Sequence, residues 1–190
     1  MNTFRLINKI EKSIISNSLI DFSPEALLYI EKKDYCIYIS INDEQTESKF
    51  PLIYLVSNDN NTILEKRLKY ENISAAGIYF GFIKKGIYHI SLEGAEFMYI
   101  HQFLPKNNQI TINEKGEKSI LYGNDILKKV INIMPPEIKK NKLLVVFNQK
   151  KEIIAIARVM IDSSTFQNLE LNQKVAQNLV DKGYYLRKRQ

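Results

Sequence analysis

Apolar residues recur at Phe4, Ile7, Ile10, Ile14 and Ile15, close to the i, i+3/i+4 rhythm of one helical face, and predict a helix over residues 3–18. A second helix is expected from Ser23-Pro24-Glu25, with Ser23 as N-cap, Pro24 at the first helical position and Ala26, Leu27 and Ile30 turned inward. The pattern then becomes β-rich. Residues 35–40 and 50–56 read as strands, with Pro51 limiting pairing near the start of the second, and a polar loop over 42–49 lies between them. Residues 58–61 form a turn and 62–69 a short helix with Ile63, Leu64 and Leu68 inward. Two further strands, 78–83 and 87–92, meet at Lys84-Lys85-Gly86, a hairpin signal in which Gly86 takes positive φ. Gly81 within the first of them marks a bulge or a close backbone approach, and a short helix is expected over 95–103.

Pro105-Lys106-Asn107-Asn108 combines turn formers and reads as a domain boundary. Beyond it the chain predicts short strands at 109–112, 119–122, 142–147, 152–161, 175–179 and 184–187, the third and fourth joined by Asn148-Gln149-Lys150-Lys151. The stretch 116–129 organises this half: a turn at Gly116, a strand over 119–122, a break at Gly123, then a helix with Asn124 as N-cap. In that reading Asp125 sits at the positive helix end, Lys128 and Lys129 lie at the other, and Ile126, Leu127 and Val130 form the docking face. Taken alone it is an ordinary strand–turn–helix joint. The expected fold class is α+β, with a mixed α/β domain over 1–105 and a mostly β barrel over 106–190.

The charge changes the picture more than the composition does. The chain has 190 residues, 45% of them apolar and 25% charged, the profile of a folded protein. Its net charge is +6. Residues 1–105 hold 11 basic and 13 acidic side chains, a net of −2, whereas residues 106–190 hold 16 and 8, a net of +8. The positive excess lies wholly in the second half, which fits either a polyanionic partner or a solvated basic surface. Cys36 is the single cysteine and permits no intramolecular disulfide, consistent with a reducing cytosol. Arg5, Lys9, Glu11 and Lys12 interrupt the start of the chain, so no signal peptide is read there, and no run of apolar residues is long enough to span a membrane.

Catalytic chemistry finds little to work with. His89 and His101 have no cysteine pair near them, which argues against a zinc site, and His89 in a strand reads as a half-buried structural residue. No Gly-rich loop opens a helix after a strand, so no nucleotide or other cofactor is expected. No nucleophile elbow frames a serine, and Asp125 is explained by helix capping.

The order Phe80-Gly81, then Leu121-Tyr122-Gly123-Asn124 with Leu127-Lys128, then Asp181-x-Gly183-x-Tyr185-x-Arg187 resembles the Nip-seven family of large-subunit ribosome biogenesis factors. The likeness covers roughly residues 70–190, with Asp34-Tyr35-Cys36 as its main support before that. It implies an N-terminal α/β domain followed by a PUA domain, a small RNA-binding β-barrel. It also implies RNA contacts at Tyr122, Gly123, Asn124, Lys128, Lys129 and Arg187, to which the residues themselves add Arg158, a lone charge in an apolar strand, and Lys188 and Arg189 in the terminal basic group. Lys139/Lys140/Lys142 and Lys150/Lys151 are further basic groups, while Tyr184 and Tyr185 offer rings for unpaired bases. The chain departs from the family at Ala155 and Ala157, where glycines are expected, and at Gln167 and Asn168, where basic residues are expected.

The function expected is therefore non-catalytic RNA binding during large-subunit assembly and precursor rRNA processing, without metal or cofactor, in the cytoplasm or, in a eukaryote, the nucleolus. Precursor rRNA and either ribosome assembly proteins or an rRNA methyltransferase are the implied partners, with no membrane. An RNA-modifying enzyme or its specificity subunit is the alternative, and a protein-interaction adaptor with an incidental basic surface is a third.

Overall fold

Phe4 shows how the chain begins. In the computed structural model, which describes residues 2–20, 22–33, 35–42 and 50–187, Phe4 stacks on Tyr38 with ring centroids 5.0 Å apart and meets Tyr54 edge-on at 5.7 Å. It does so from a strand, β1 (Asn2–Leu6), paired antiparallel with β2 (Tyr35–Asn42). The helix expected over 3–18 therefore starts later, as α1 (Lys9–Ile20). Asn8 sets that start. Its Oδ1 accepts from the Glu11 N–H at 2.9 Å, while Glu11 Oε2 accepts from the Asn8 N–H at 2.8 Å, a reciprocal capping box. Burial of Phe4 between two tyrosines outweighs the helical spacing of the first apolar residues, because local propensity is a weak prior against packing.

The unit Met1–Phe103 rests on one antiparallel sheet in the order β1-β2-β3-β4-β5, where β3 is Leu52–Ser57, β4 is Ile78–Lys84 and β5 is Ile87–Ile90. One sheet face carries Phe4, Tyr38 and Val56 against Leu64 of α3 (Asn58–Arg67). On the other, Phe97 of α4 (Leu92–Ile100) meets Tyr35 and Phe80 edge-on, and α2 (Glu25–Lys32) lies along β2. The expected hairpin is present: Lys84 pairs with Ile87, and Lys85 and Gly86 take φ of 51° and 73°, as a type I′ turn requires. At Gly81 β3 and β4 slip register, and a Cβ there would strike the His89 carbonyl, so bulge and close approach coincide.

Three expectations in this unit are corrected. Ser23 does not cap α2; its hydroxyl donates to the Phe103 carbonyl at 2.7 Å. The expected 58–61 turn is the first turn of α3, where Asn61 Oδ1 accepts from the Tyr38 hydroxyl at 2.7 Å. The helix expected over 95–103 begins at Leu92 because Ser91 caps it, its hydroxyl accepting from the Gly94 N–H at 2.9 Å. Beyond Asn42, the polar loop lies outside the described residues.

The unit Leu104–Gln190 is the barrel. Its strands are β6 (Gln109–Ile112), β7 (Ile126–Leu127), β8 (Ile131–Ile133), β9 (Leu143–Phe147), β10 (Ile153–Val159) and β11 (Lys174–Asp181), in the order β7-β11-β10-β9-β6-β8. Since β7 and β8 are separated only by a 3-10 turn, Lys128–Val130, yet end opposite sides of that order, the sheet curls until it nearly closes. Ile110, Ile112, Leu144, Val146, Ala155, Ala157, Val159 and Ala176 fill the interior, and Ile120 enters it from α5 (Glu114–Leu121). The fold is α+β, mixed helices and strands with a barrel-like second half, as the pattern predicted.

Within the barrel the order of elements around Gly123 is the reverse of the expected one. Residues 119–122 end a helix, and 126–127 are strand. Asn113 makes the difference: its Oδ1 accepts from the Gly116 N–H at 2.9 Å and caps α5. Gly116 is then no turn but a buried helical residue, where a Cβ would fall 2.6 Å from Val130 Cβ. Asn124 and Asp125 cap nothing; Ile126 and Leu127 instead pair with Ala176 and Lys174 of β11. Residues 184–187 are likewise not a strand but a single helical turn, α7 (Tyr184–Arg187), which follows the short α6 (Ser163–Phe166) and β11 in the chain.

Candidate nucleic-acid interface

Where α5 ends, Gly123 takes φ +88°, a conformation that favours glycine. Its N–H donates to the Ile120 carbonyl at 2.8 Å and the Asn124 N–H to the Ser119 carbonyl at 3.2 Å, so the turn folds back on the helix. Tyr122, Gly123 and Asn124 are exposed, Tyr122 to 78%.

This turn is gripped from inside by the end of β11 and by α7. Asn178 Nδ2 donates to the Ile120 carbonyl at 3.1 Å and to Asp181 Oδ2 at 3.1 Å, and the Asn178 N–H donates to Asp125 Oδ1 at 3.1 Å. Lys174 Nζ takes the other Asp125 oxygen at 3.0 Å. Arg187 donates through Nη1 and Nη2 to the two oxygens of Asp181, at 3.0 and 2.9 Å, and through Nη1 also to the Leu121 carbonyl. Asp181 is 2% exposed. The paired carboxylate raises the Arg187 pKa above its ordinary value. Gly183 completes the joint, since a Cβ there would collide with the Leu121 carbonyl. The spacing Asp181-x-Gly183-x-x-x-Arg187 is thus the signature of a clamp on the 121–125 turn.

The residues expected to bind RNA separate into two groups. Tyr122, Gly123, Asn124 and Arg187 come together at the β10 end that begins with Ile153. The Asn148–Lys151 hairpin lies at that end too, because Asn148 Nδ2 donates to Glu117 of α5 at 3.0 Å. Lys128, Lys129 and Arg158 lie toward the other end, beside the start of β11 and the end of β10. Lys128 Nζ donates to the Gln167 and Leu169 carbonyls at 2.8 and 2.7 Å and stands 5.5 Å above the Phe166 ring. Lys129 Nζ donates to Asn172 Oδ1 at 2.8 Å, and Arg158 Nη1 to the Asn141 carbonyl at 3.3 Å. Lys139 and Lys140 are exposed near this end. Lys188 and Arg189 lie outside the described residues, as does the side chain of Tyr185.

Sequence reasoning missed Lys118, exposed in the last turn of α5 beside Tyr122, because it read a turn at Gly116 and a strand over 119–122 instead of a helix. It also missed Asn178 and took Asp181 only as part of the family likeness, since polar spacing along a strand gives no local sign of a distant turn. Tyr184, 41% exposed, follows Gly183 and so adjoins the same turn. Ala155 and Ala157 point their methyls into the core, so the expected glycines are not needed for the strand to pack. Gln167 uses its carbonyl to hold Lys128. Of the two histidines, His89 is half-buried and stacks on Phe82 at 4.9 Å, while His101 Nδ1 lies 2.7 Å from the Tyr29 hydroxyl. Among the described residues no helix is long and apolar enough to cross a membrane.

The family described as UPF0113 PUA domain matches residues 108–190, so the barrel with its gripped turn is a PUA domain. A UPF0113 protein of Archaeoglobus fulgidus is 27% identical over 163 residues, which cover 86% of this chain and 87% of that one. The fold of the chain is similar to a PUA domain of Aeropyrum pernix solved as a tartrate complex, with a TM-score of 0.69, 11% identity and coverage of 98% and 89%. It is also similar to a conserved PUA domain protein of Thermoplasma acidophilum, with a TM-score of 0.61, 18% identity and coverage of 98% and 99%.

Proposed function

We propose that this chain is a non-catalytic RNA-binding factor of the Nip-seven kind, acting in large-ribosomal-subunit assembly and precursor rRNA processing. Its PUA domain takes RNA and its near-neutral first unit takes a protein partner, either an assembly factor or an rRNA methyltransferase. The place of action is the cytoplasm, or the nucleolus in a eukaryote. PUA domains are typically RNA-binding, and the charge split of +8 against −2 directs a polyanion to the second half.

The observation that carries the reading is the turn 122–124: an exposed tyrosine ring and a glycine backbone, fixed from below. A ring that stands clear of the surface on a rigid support stacks on unpaired bases at little ordering cost. Exposed Lys118 on α5, and exposed Lys150 and Lys151 on the hairpin that Asn148 ties to α5, supply positive charge for phosphates at the same end of the barrel.

The test is a titration of the whole chain with an unstructured single-stranded RNA at several salt concentrations. Reversing Lys118, Lys150 and Lys151 to Glu should weaken binding and flatten the salt dependence, each lost phosphate contact removing roughly 0.7 from the slope. Reversing Lys66, Arg67 and Lys69 in the first unit should do much less. Equal losses from both triple variants, or no binding at low salt, would overturn the assignment.

A further inference from the structure

Arg187 reads from sequence as a phosphate ligand, but its geometry is that of a residue already spent. Its fork is filled by both oxygens of Asp181, at 3.0 and 2.9 Å, and by the Leu121 carbonyl. The charge it would offer a phosphate is neutralised by a carboxylate that has almost no water of its own, Asp181 being 2% exposed. An Arg held by a carboxylate in this paired geometry is a strong, directional contact that a second anion must break before it can use the guanidinium. The same side chain lies against Gly123, Nη2 standing 3.2 Å from the point a Cβ would occupy. What Arg187 touches on the RNA side is therefore the turn itself.

We infer that Arg187, acting with Asp181 and Asn178, is a positioning residue: it holds the 121–125 turn so that the Tyr122 ring and the Gly123–Asn124 backbone meet unpaired RNA ready-made, and it makes no phosphate contact. This rests on the RNA-binding reading above. The physical argument is preorganisation. The turn's own amides are satisfied by Ile120 and Ser119, but nothing in residues 122–124 alone prevents them from fraying off the end of α5, where Gly123 has more backbone freedom than any other residue. Arg187 supplies a donor to the Leu121 carbonyl, which the helix end leaves open, and Asn178 adds a second donor to the Ile120 carbonyl that Gly123 already uses. Without them the turn is ordered only on binding, and affinity falls by about tenfold, the cost of fixing roughly one backbone residue.

The experiment uses the full chain, an unstructured RNA oligonucleotide, and the variants Arg187→Gln, Asp181→Asn, Tyr122→Ala and the double variant Arg187→Gln/Tyr122→Ala. A positioning role predicts that Arg187→Gln weakens binding about tenfold with an unchanged salt slope. Its loss should largely vanish in the Tyr122→Ala background, because both changes remove the same contact. Amide exchange at Gly123 and Asn124 should also quicken in Arg187→Gln without RNA. Asp181→Asn separates the two roles most sharply: it adds positive charge and frees the guanidinium, so a phosphate ligand would bind tighter, whereas a broken clamp binds weaker. This variant carries the test where Arg187→Gln does not fold. The inference is overturned by a salt slope that falls by roughly 0.7 in Arg187→Gln, by losses that add to those of Tyr122→Ala, or by tighter binding in Asp181→Asn. Unchanged exchange at Gly123 and Asn124 also overturns it, and does so without reference to RNA. Failure of the unaltered chain to bind removes the RNA reading itself, a result distinct from any of these.

Discussion

The two ends of the β9–β10–β11 sheet carry similar side chains and use them differently. At the end beside Ile153, buried Asp181 and half-buried Asn178 and Arg187 bond inward to the turn, and the exposed groups around them, Tyr122, Asn124 and Lys118, are left to face outward. At the end beside Val159, the cations themselves serve as fasteners, with Lys128 tying down the Gln167 and Leu169 carbonyls and Lys129 reaching Asn172. A basic residue in a basic domain is thus no measure of nucleic-acid contact. What decides is whether the charge has been taken up by the protein's own acceptors, as it has for Arg187, Lys128 and Lys129.

Substitutions at the first end should break this contrast most visibly. Gly183→Ala drives a methyl group into the Leu121 carbonyl, between elements that Arg187 and Asp181 hold in place. Such overpacking should lower stability by about 2–3 kcal/mol, read as a shift in the denaturant midpoint. A shift below about 0.5 kcal/mol, the size of an ordinary surface change, would mean the joint yields easily.

Tyr122→Ala sharpens the comparison from the other side. The ring is 78% exposed, so the midpoint should stay put, while affinity for single-stranded RNA falls by about 1–2 kcal/mol, the worth of a stacked base. Lys128→Met at the far end should show the opposite pairing: stability down by about 1 kcal/mol from two lost hydrogen bonds, with RNA affinity retained. If Lys128→Met costs as much affinity as Tyr122→Ala, both ends belong to the interface.

The smallest effect lies outside the barrel and is set by pH. Hydrogen bonds from Arg5, at 2.8 and 2.9 Å, and then from the Asn8 N–H hold the Glu11 carboxyl below its ordinary pKa. A carboxylate depressed in the folded state adds stability above its unfolded pKa and loses it as pH falls through the folded one. Glu11→Gln should therefore cost about 1 kcal/mol or less at neutral pH, and the gap from the unaltered chain should close on acidification below the ordinary carboxylate range. A gap that persists in acid would assign Glu11's contribution to the capping box rather than to its charge.

Much of the fold could be read before any coordinate. The strands β2, β3, β9 and β10 stand where β-branched and aromatic runs placed them. The Lys85-Gly86 turn needs positive φ, and Gly86 announces it. The Tyr122-Gly123-Asn124 triplet is also visible in the sequence, though its local structure is not. The resemblance singles it out, while the residues alone place it between a strand ending at Tyr122 and a helix capped by Asn124. It instead follows the end of a helix, because Asn113 and not Asn124 carries the cap. Asn113 offers the same side-chain oxygen, and nothing local ranks one asparagine above the other.

The sequence by itself determined what depends on near neighbours and on counting: alternation within strands, glycine-dependent turns, and a positive excess confined to residues 106–190. The tertiary structure alone decided what depends on partners far along the chain. Phe4 extends because Tyr38 and Tyr54 wait for it; residues 126–127 extend because β11 pairs with them; Arg187 turns inward because Asp181 and the Leu121 carbonyl lie within its reach. The physical reason is the same in each case. A buried ring, a ladder partner or a desolvated carboxylate is worth more than the propensity of the residues that meet it, and none of them is visible until the chain has folded.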